Sequence, residues 1–373
     1  MTSLVVALSA LLALALIWFG YPLAVRLLAA LRSPSSAAVS VPAGVSVVLA
    51  SCDDAESIRA RVANLLETAH PADRLEVIVA LDAANAEATP VELEGLDERV
   101  HVVIGDAPGG KSATLNAGVR AARNPILVFA DTQQRFDRDS IPALVSGLAD
   151  PRTGAVSGML ELPGAHGTLN LAERYWRLER WLRKWEARLH SSVGVTGAIY
   201  AMRRELWKPL PANLILDDVY LPMRLVLEGW HVGFTPAAKA RDVRRFEAGQ
   251  EYRRKVRTLT GVIQVCAWLP GVLNPLRNPL WLQFVFHKLL RLLTPYLAVI
   301  ALVGMAWAVA TALLSTALGG QLLLGAAVAG VALCLVPRVR RRLGHQIAWG
   351  VAMQGSIVVA TVNGVRGRWD VWR

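Results

Sequence analysis

The middle third of the chain alternates short apolar runs with stretches in which apolar residues recur every three or four positions. Helical spacing at 54–69 and 112–123 predicts two helices. The short runs predict buried strands on either side of them, at 45–50, 75–81, 100–104 and 126–130. Strands that alternate with helices favour a largely parallel sheet, so the pattern predicts an α/β domain.

The N-terminal segment is apolar over a length that can span a bilayer. No charged residue precedes Arg26, and the run 3–31 exceeds the roughly 20 apolar residues that a bilayer core requires. The first nine residues lack the basic region of a secretory signal, and positive charge follows the segment. We therefore expect an uncleaved anchor over 1–32 whose C-terminal end faces the cytoplasm, and then a linker over 33–44.

A second apolar block begins near Pro279 and reaches almost to the end of the sequence. Breaks at a proline, a glycine turn and a basic run divide it into predicted spans at 295–317, 322–336 and 347–362. We expect interfacial helices over 262–293 and a membrane bundle over 294–373. Three full spans would place the final arginines outside the cell, against the usual charge bias. A re-entrant or interfacial segment is the alternative, and the side of the C-terminus stays open.

Composition agrees with partial burial in lipid. Hydrophobic residues make up 54% of the chain and charged residues 18%, against averages of about 45–50% and about 25% in soluble domains. Much of the net charge of +11 lies beside apolar segments, which favours a cytoplasmic membrane face over nucleic acid as the partner. The three cysteines are far apart and fit neither a disulfide nor a zinc pattern.

Polar residues follow the predicted strands, where open α/β sheets bind their ligands. Each group alone also fits a turn or a helix cap. Because the carboxyl ends of parallel strands meet at one edge of a sheet, we expect them to converge there. The groups are 51–54, Asp82, Gly109-Gly110-Lys111 and Asp131-Thr132-Gln133.

The order of these segments resembles the family 2 inverting glycosyltransferases from about residue 45 to 261. The resemblance implies a GT-A catalytic domain over 45–261, flanked by transmembrane helices, that uses a nucleotide-diphosphate sugar and a divalent metal, Mg²⁺ or Mn²⁺. The stretches that carry it are 109–118 (GGKSATLNAG), 128–133 (VFADTQ), 197–204 (GAIYAMRR), 216–218 (LDD) and 254–257 (RKVR).

Several acidic and basic residues match donor-binding positions of that family. Asp82 falls where the family holds the nucleotide base, and a strand-end cap is the structural alternative. Asp54 resembles the family's acidic position after the first strand, which Asp53 could fill instead. The glycine pair would let the backbone approach the nucleotide, while Lys111 would supply positive charge.

Asp131 stands at the first position of the family's DxD motif, which binds the metal and the donor diphosphate. The third position is Gln133, so an amide replaces one carboxylate. A hard cation accepts oxygen ligands and can be completed by diphosphate and water. The resemblance therefore implies Asp131 as the metal ligand and Gln133 as a carbonyl ligand or a ribose contact.

Asp218 falls at the family's general-base position, where it would take a proton from the acceptor hydroxyl. The Asp217-Asp218 pair also fits an N-cap for a helix predicted at 219–228. The basic stretch corresponds to the family's QxxRW signature, with Arg254 at the glutamine, Arg257 at the arginine and Thr258 at the tryptophan. Arg257 would stabilise the leaving diphosphate and Arg254 would contribute to donor binding.

Aromatic and charged residues alternate over 175–186. Their spacing predicts a helix that lies on the membrane surface, and the alternative is that its tryptophans stack on sugar faces of an acceptor. His287, Lys288 and Arg291 resemble an interfacial helix in a subset of the family, and we assign them no role.

Together these features predict an inverting hexosyltransferase in the inner membrane, multi-pass, with its catalytic domain in the cytoplasm. It would move a sugar from a UDP-sugar to a lipid-linked or polysaccharide acceptor, with envelope-polysaccharide machinery as its partner. Thr258 and about three C-terminal spans favour a single transfer over polymer export. A non-catalytic scaffold in an envelope complex is the alternative that Gln133 and Thr258 allow. A transporter is disfavoured because the spans carry few charges.

Overall fold

A computed structural model describes residues 2–32, 43–161, 171–243, 248–315, 320–321 and 337–369. The chain forms two compact units. The sheet unit comprises Val25–Phe246 and Gln264–Phe284. The helical unit comprises Met1–Ala24, Glu247–Ile263 and Val285–Trp372.

The sheet unit is built on one eight-stranded sheet with the order β3-β2-β1-β4-β7-β6-β8-β5. The first four strands are parallel to one another, β7 runs antiparallel to β4 and β6, and β8 runs parallel to β6 but antiparallel to β5. The strands are β1 Val45–Ser51, β2 Leu75–Leu81, β3 Val100–Ile104, β4 Ile126–Ala130, β5 Gln134–Phe136, β6 Thr153–Glu161, β7 Ile199–Arg203 and β8 His231–Asp242.

The four predicted strands are confirmed as β1 to β4. Residues of β1, β2 and β4 are nearly all buried, so these strands are nearly continuous apolar runs, interrupted in β1 and β2 by the buried Ser46 and Glu76. The expectation of a largely parallel sheet holds only for this half. The other half is mixed, and β8, which carries Gly233, Pro236 and Lys239, has no such run, while β6 pairs with it through two shifts of register.

The helices predicted at 54–69 and 112–123 are confirmed: the first is shorter at both ends, and the second begins one residue earlier and ends two residues earlier. The helix predicted at 219–228 begins two residues earlier, at Asp217. In chain order the helices are α1 Thr2–Ala15, α2 Tyr21–Ala30, α3 Ala55–Leu66, α4 Lys111–Ala121, α5 Ser140–Gly147, α6 Leu171–Leu189, α7 Asp217–Leu227, α8 Ala248–Trp268, α9 Trp281–Phe284, α10 Thr294–Leu314 and α11 Pro337–Val365.

Helices cover both faces of the parallel half of the sheet. Alternate residues of β1 share one buried cluster with Ile58 and Val62 of α3 and Leu144 of α5. On the opposite face α4 packs so closely that a Cβ at Gly118 would lie 2.7 Å from Cγ1 of Val48. This packing fixes the first turn of α4 against the carboxyl edge of the sheet.

The helical unit contains much of the apolar sequence. Among the described residues, Thr2–Ala30 and Trp281–Leu314 are long and apolar enough to cross a membrane, and Gly350–Val365 is a shorter apolar helix. The span expected at 295–317 corresponds to α10, and the one expected at 347–362 lies within α11. The span expected at 322–336 lies outside the described residues. The boundary expected at 261 falls inside α8, which continues through it.

Candidate functional site

The carboxyl ends of β1, β2 and β4 lie in register, with Ser51 beside Leu81 and Leu49 beside Ala130. Asp53, Asp82 and Asp131 follow these ends within two residues. The expected convergence of polar groups at one edge of the sheet is therefore confirmed. The first turns of α4 and α7 bring further charged residues to this edge.

The Asp82 carboxylate joins the loop after β2 to the glycine pair before α4. Oδ1 accepts hydrogen bonds from the backbone N–H groups of Ala84 at 2.9 Å and Asn85 at 2.8 Å, and from the Asn85 side chain. Oδ2 accepts from the N–H of Gly110 at 2.6 Å and the Thr114 hydroxyl at 3.2 Å. The alternative of a strand-end cap is thus realised, and the role in base recognition stays a prediction.

Burial raises the pKa of Asp82, but the backbone hydrogen bonds from Ala84, Gly110 and Asn85 outweigh it, so the pKa lies below its usual value. The carboxylate is therefore ionised at neutral pH and holds two loops together.

The glycine pair has a conformation that other residues rarely adopt. Gly109 has φ +91° and Gly110 has φ +93°. A Cβ at Gly109 would lie 2.9 Å from the Asp82 carboxylate and 2.8 Å from Cβ of Ala84, so only glycine fits this close approach. Gly110 then forms the N-cap of α4, which points the N-terminus of this helix at the edge of the sheet.

Lys111 lies among three carboxylates. Its Nζ is 3.3 Å from Oδ1 of Asp131 and 4.0 Å from Oδ2 of Asp217, and its side chain is 29% exposed. Burial lowers the pKa of Lys111, but the charges of Asp131, Asp217 and Asp218 outweigh it and raise the pKa. The lysine therefore remains a cation at the centre of an acidic group.

Asp217 and Asp218 lie in the first turn of α7, whose N-cap residue is Leu216 and has no side-chain cap. The N-cap alternative for the aspartate pair is therefore wrong, because Asp217 is already the first residue of the helix and Leu216 is its N-cap. The carbonyl of Asp218 accepts a hydrogen bond from the N–H of Val195 at 2.8 Å. A Cβ at Gly197 would lie 3.5 Å from Cβ of Asp218 and 3.9 Å from Nζ of Lys111, so the glycine keeps this side of the site open.

The two aspartates after β1 have different surroundings. Asp54 is the N-cap of α3 and accepts hydrogen bonds from the backbone N–H and the hydroxyl of Ser57. Asp53 instead accepts one from the side-chain amide of Gln133 at 3.2 Å. Asp54 therefore caps its own helix, whereas Asp53 contacts the Asp131 loop, and which of the two faces the nucleoside stays a prediction.

Tyr200 lies beneath this acidic group and was not among the predicted site residues. Its ring stacks on Phe129 with centroids 4.5 Å apart, and its hydroxyl is buried without a hydrogen bond to any described residue. Burial and then the charges of Asp217, Asp218 and Asp131 raise its pKa, so the phenol stays neutral. Asp217 was also missed. The sequence shows the adjacent aspartates, but only the phase of α7 places one beside Lys111.

Arg254 and Arg257 lie on α8, in the segment Glu247–Ile263 of the helical unit. The hydroxyl of Thr258 donates to the carbonyl of Arg254 at 2.9 Å, an ordinary bond within a helix. Their expected roles at the donor diphosphate stay predictions.

The described residues contain no group of three or more His, Cys, Asp or Glu side chains that could hold a metal ion. Asp131 can supply one carboxylate oxygen, and Gln133 lies two residues further along the same loop. This donor set fits Mg²⁺ or Mn²⁺ only when a diphosphate and water supply most of the oxygen ligands. Asp131 stays the predicted ligand for a metal that binds together with the donor.

Comparison with known proteins gives consistent matches. The family model described as glycosyltransferase like family 2 matches residues 42–261. The probable glycosyltransferase YdaM of Bacillus subtilis (strain 168) is 26% identical over 208 residues, which are 52% of this chain and 49% of that protein. Glycosyltransferase AglD of Haloferax volcanii is 31% identical over 137 residues, which are 35% of this chain and 22% of that protein. The chain thus spans about half or less of these curated relatives.

A solved structure shows the same fold. It is a mannosyltransferase from Pyrobaculum calidifontis in complex with GDP-Man and Mn²⁺, with a TM-score of 0.71 and 22% identity. The match covers 97% of this chain and 99% of that chain. The predicted GT-A fold of the sheet unit is therefore confirmed.

Proposed function

Since this chain belongs to the glycosyltransferase like family 2, we propose that it is an inverting hexosyltransferase that uses a nucleotide-diphosphate sugar. The observation that carries the proposal is the group formed by Lys111, Asp131, Asp217 and Asp218 at the carboxyl edge of the sheet. It combines one fixed cation with carboxylates at the position where open α/β sheets bind ligands.

The donor diphosphate binds at the first turn of α4. Positive charge there comes from the Lys111 ammonium and from the N-terminus of the helix, and both favour phosphate oxygens. Asp131 is the residue that would hold a divalent metal, which supplies a Lewis acid for the diphosphate charge. The Lys111 ammonium, 3.3 Å from Oδ1 of Asp131, would lie beside a donor diphosphate held at this position.

Asp218 is the base. The hydroxyl oxygen of the acceptor attacks the anomeric carbon, its proton passes to the Asp218 carboxylate, and the bond from that carbon to the diphosphate oxygen breaks. One displacement inverts the configuration, so an α-linked donor gives a β-linked product. Asp217 keeps Lys111 in place and charged, because its carboxylate lies 4.0 Å from the ammonium.

The acceptor is lipid-linked or a polysaccharide at the cytoplasmic face of a membrane. Two apolar helices support a membrane location. Helix α6 supports it independently, because two of its carboxylates, Glu179 and Glu186, are buried. Its exposed side chains are cations and its tryptophans are half-buried, a combination typical of helices at a bilayer surface. The exposed cations are Arg177, Lys184 and Arg188, and the half-buried tryptophans include Trp181 and Trp185.

The end of α6 is tied to the end of the first candidate span. The guanidinium of Arg188 donates to the carbonyl of Arg32 at 3.1 Å, and Arg32 follows that span by two residues. A chain of two residues reaches at most about 7 Å, so α6 ends close to the level of the lipid headgroups.

A donor screen tests the proposal. The purified chain is incubated with a membrane lipid extract, Mn²⁺ and either UDP-glucose, UDP-galactose, UDP-GlcNAc or GDP-mannose, and released nucleotide is measured. We expect release from a UDP-sugar. GDP-mannose is included because the mannosyltransferase with the same fold was solved with it. Release that is equal in an Asp218→Asn variant would contradict the assigned base.

A non-catalytic scaffold is the second candidate. It is favoured by Gln133, which places an amide where the DxD motif has its second carboxylate and which donates that amide to Asp53. If the chain is a scaffold, the screen should detect no nucleotide release from any donor with any lipid extract, although nucleotide should still bind.

A further inference from the structure

Both candidate membrane spans contain a π-helical stretch, and the two stretches belong to the same compact unit. They are Leu16–Gly20 in the first span and Val285–Leu289 in the second. A π-helical turn inside a helix widens it locally and is frequent at functional sites. One ring contact and one hydrogen bond connect this part of the unit. Tyr21 stacks on Phe286 with centroids 5.5 Å apart, and the indole N–H of Trp18 donates to the Thr294 hydroxyl at 3.2 Å.

Basic side chains gather at the same place. The Arg291 guanidinium lies 4.7 Å from the centre of the Trp18 ring, a cation–π contact. Nζ of Lys288 lies 3.4 Å from Nε2 of His287. His287 and Arg291 are 1% and 7% exposed, so both lie inside the unit. We name His287, Lys288 and Arg291 the basic cluster.

The depth of the basic cluster follows from the packing of α1 on α10. A Cβ at Gly304 would lie 3.1 Å from Cβ of Ala7, whereas Trp18 contacts Thr294, so the two helices run antiparallel. Helix α10 has 21 residues and at 1.5 Å per residue spans about 31 Å, the thickness of a bilayer core. The basic cluster precedes α10 and therefore lies at the headgroup level, where Trp18 and Tyr21 are also typical.

Neither Thr2–Ala30 nor Trp281–Leu314 contains an Asp or Glu. All charged side chains that the two spans contribute at the headgroup level are therefore positive. Arginine and lysine donate strong charge-assisted hydrogen bonds to phosphate oxygens, and basic pockets between membrane helices bind acidic lipid headgroups.

We propose that the basic cluster binds the phosphate group of an anionic membrane lipid between the two spans. The apolar surfaces of α1 and α10 border the acyl or prenyl chain, and the headgroup phosphate contacts Arg291 and Lys288. The inference requires that the two helices span a membrane, and it does not depend on sugar transfer.

Lipid binding to the purified full-length chain in neutral detergent tests the proposal without an activity assay. The probes are phosphatidylglycerol, a polyprenyl phosphate, phosphatidylcholine and inorganic phosphate, measured by native mass spectrometry or by the shift in melting temperature. We expect either anionic lipid to bind more tightly than phosphatidylcholine, and the tighter of the two identifies the source of the phosphate. Arg291→Gln and Lys288→Gln each weaken that binding roughly tenfold, the usual effect of losing a hydrogen bond to a charged group.

Arg366→Gln is the matched control, because Arg366 belongs to the same unit but is exposed at the end of α11. It should leave lipid binding unchanged. Lys288 is half-buried, so Lys288→Gln decides the result if Arg291→Gln fails to fold. Equal binding of phosphatidylcholine and both anionic lipids would overturn the proposal, as would unchanged anionic lipid binding in folded Lys288→Gln. Inorganic phosphate that displaces the lipid at equal concentration would also overturn it.

Discussion

The carboxylate of Asp218 is the group on which the proposed mechanism depends. Asp218→Asn keeps the shape of the side chain but removes its capacity to accept a proton. We expect turnover to fall about 10²- to 10⁴-fold, the usual contribution of general-base catalysis, while the affinity for the nucleotide stays nearly the same. Steady-state transfer rates and calorimetric titration with UDP measure the two effects separately.

Asp217→Asn is the matched control, because Asp217 neighbours Asp218 on the same helical turn but contacts Lys111. It should retain transfer that is clearly measurable. Loss of transfer in Asp217→Asn with activity in Asp218→Asn would show that the base is the preceding residue. Activity in both variants with a proven acceptor would contradict the inverting mechanism itself.

Asp131 supplies the one carboxylate of the DxD-like segment. Asp131→Ala should abolish the dependence of donor binding on Mn²⁺, whereas Gln133→Asp should preserve or strengthen it, because a hard anionic ligand is added. Titration of UDP in the presence and absence of Mn²⁺ gives both results. An unchanged UDP affinity in folded Asp131→Ala would mean that the nucleotide binds elsewhere.

Removal of the Tyr200 hydroxyl and removal of the Thr114 hydroxyl should have opposite effects on the free energy of unfolding. Tyr200→Phe removes a hydroxyl that bonds to no described residue, so the free energy of unfolding should stay the same or rise by up to about 1 kcal/mol. Thr114→Val removes a hydroxyl that donates towards Asp82 and the Gly110 carbonyl, and should cost about 1 kcal/mol. Thermal or denaturant unfolding compares them. A larger loss in Tyr200→Phe would reveal a partner for its hydroxyl.

The loop between β3 and α4 contacts the Asp82 carboxylate at the edge of the sheet through its glycine pair, Gly109 and Gly110. Gly109→Ala introduces strain at φ +91° and a Cβ 2.9 Å from the Asp82 carboxylate. We expect a stability loss of about 1–2 kcal/mol from the left-handed conformation alone, and a weaker affinity for UDP because the two loops that Asp82 holds must separate. Unfolding experiments and UDP titration measure these effects.

Gly95→Ala is the control for the glycine substitution. Gly95 also has a positive φ, +70°, but nothing lies within 4 Å of its Cβ position. It should lose similar stability and keep the affinity for UDP. Equal UDP affinities in the two variants would show that the Asp82 contact does not shape the site.

For the whole molecule, the proposed orientation places the sheet unit in the cytoplasm, where nucleotide sugars are made. A reporter inserted after Ser35 should be active only if it functions inside the cell. The reason is the positive charge of Arg26 and Arg32 after the first span. Activity of a reporter that functions only outside the cell would reverse the orientation and remove the donor from reach of the site.

The sequence alone determined the parallel half of the sheet and the polar groups at its edge. Strands buried on both faces are nearly continuous apolar runs. Asp82 and Asp131 directly follow two of these strands, and Lys111 begins the helix between them. The two candidate spans were also predicted, because the length of an apolar run is itself the signal.

Tertiary structure decided what no local pattern contains. Strands β6 and β8 are far apart in sequence, and they pair with two shifts of register. Neither strand was predicted from the sequence. The different surroundings of Asp53 and Asp54 depend on a contact between Asp53 and Gln133, 80 residues away. Asp217 reaches the site through its contact with Lys111, and Tyr200 reaches it because β7 pairs with β4. Such contacts join residues that are distant in sequence. The spacing of apolar residues indicates only which face of its own helix or strand a residue occupies, so it cannot predict these contacts.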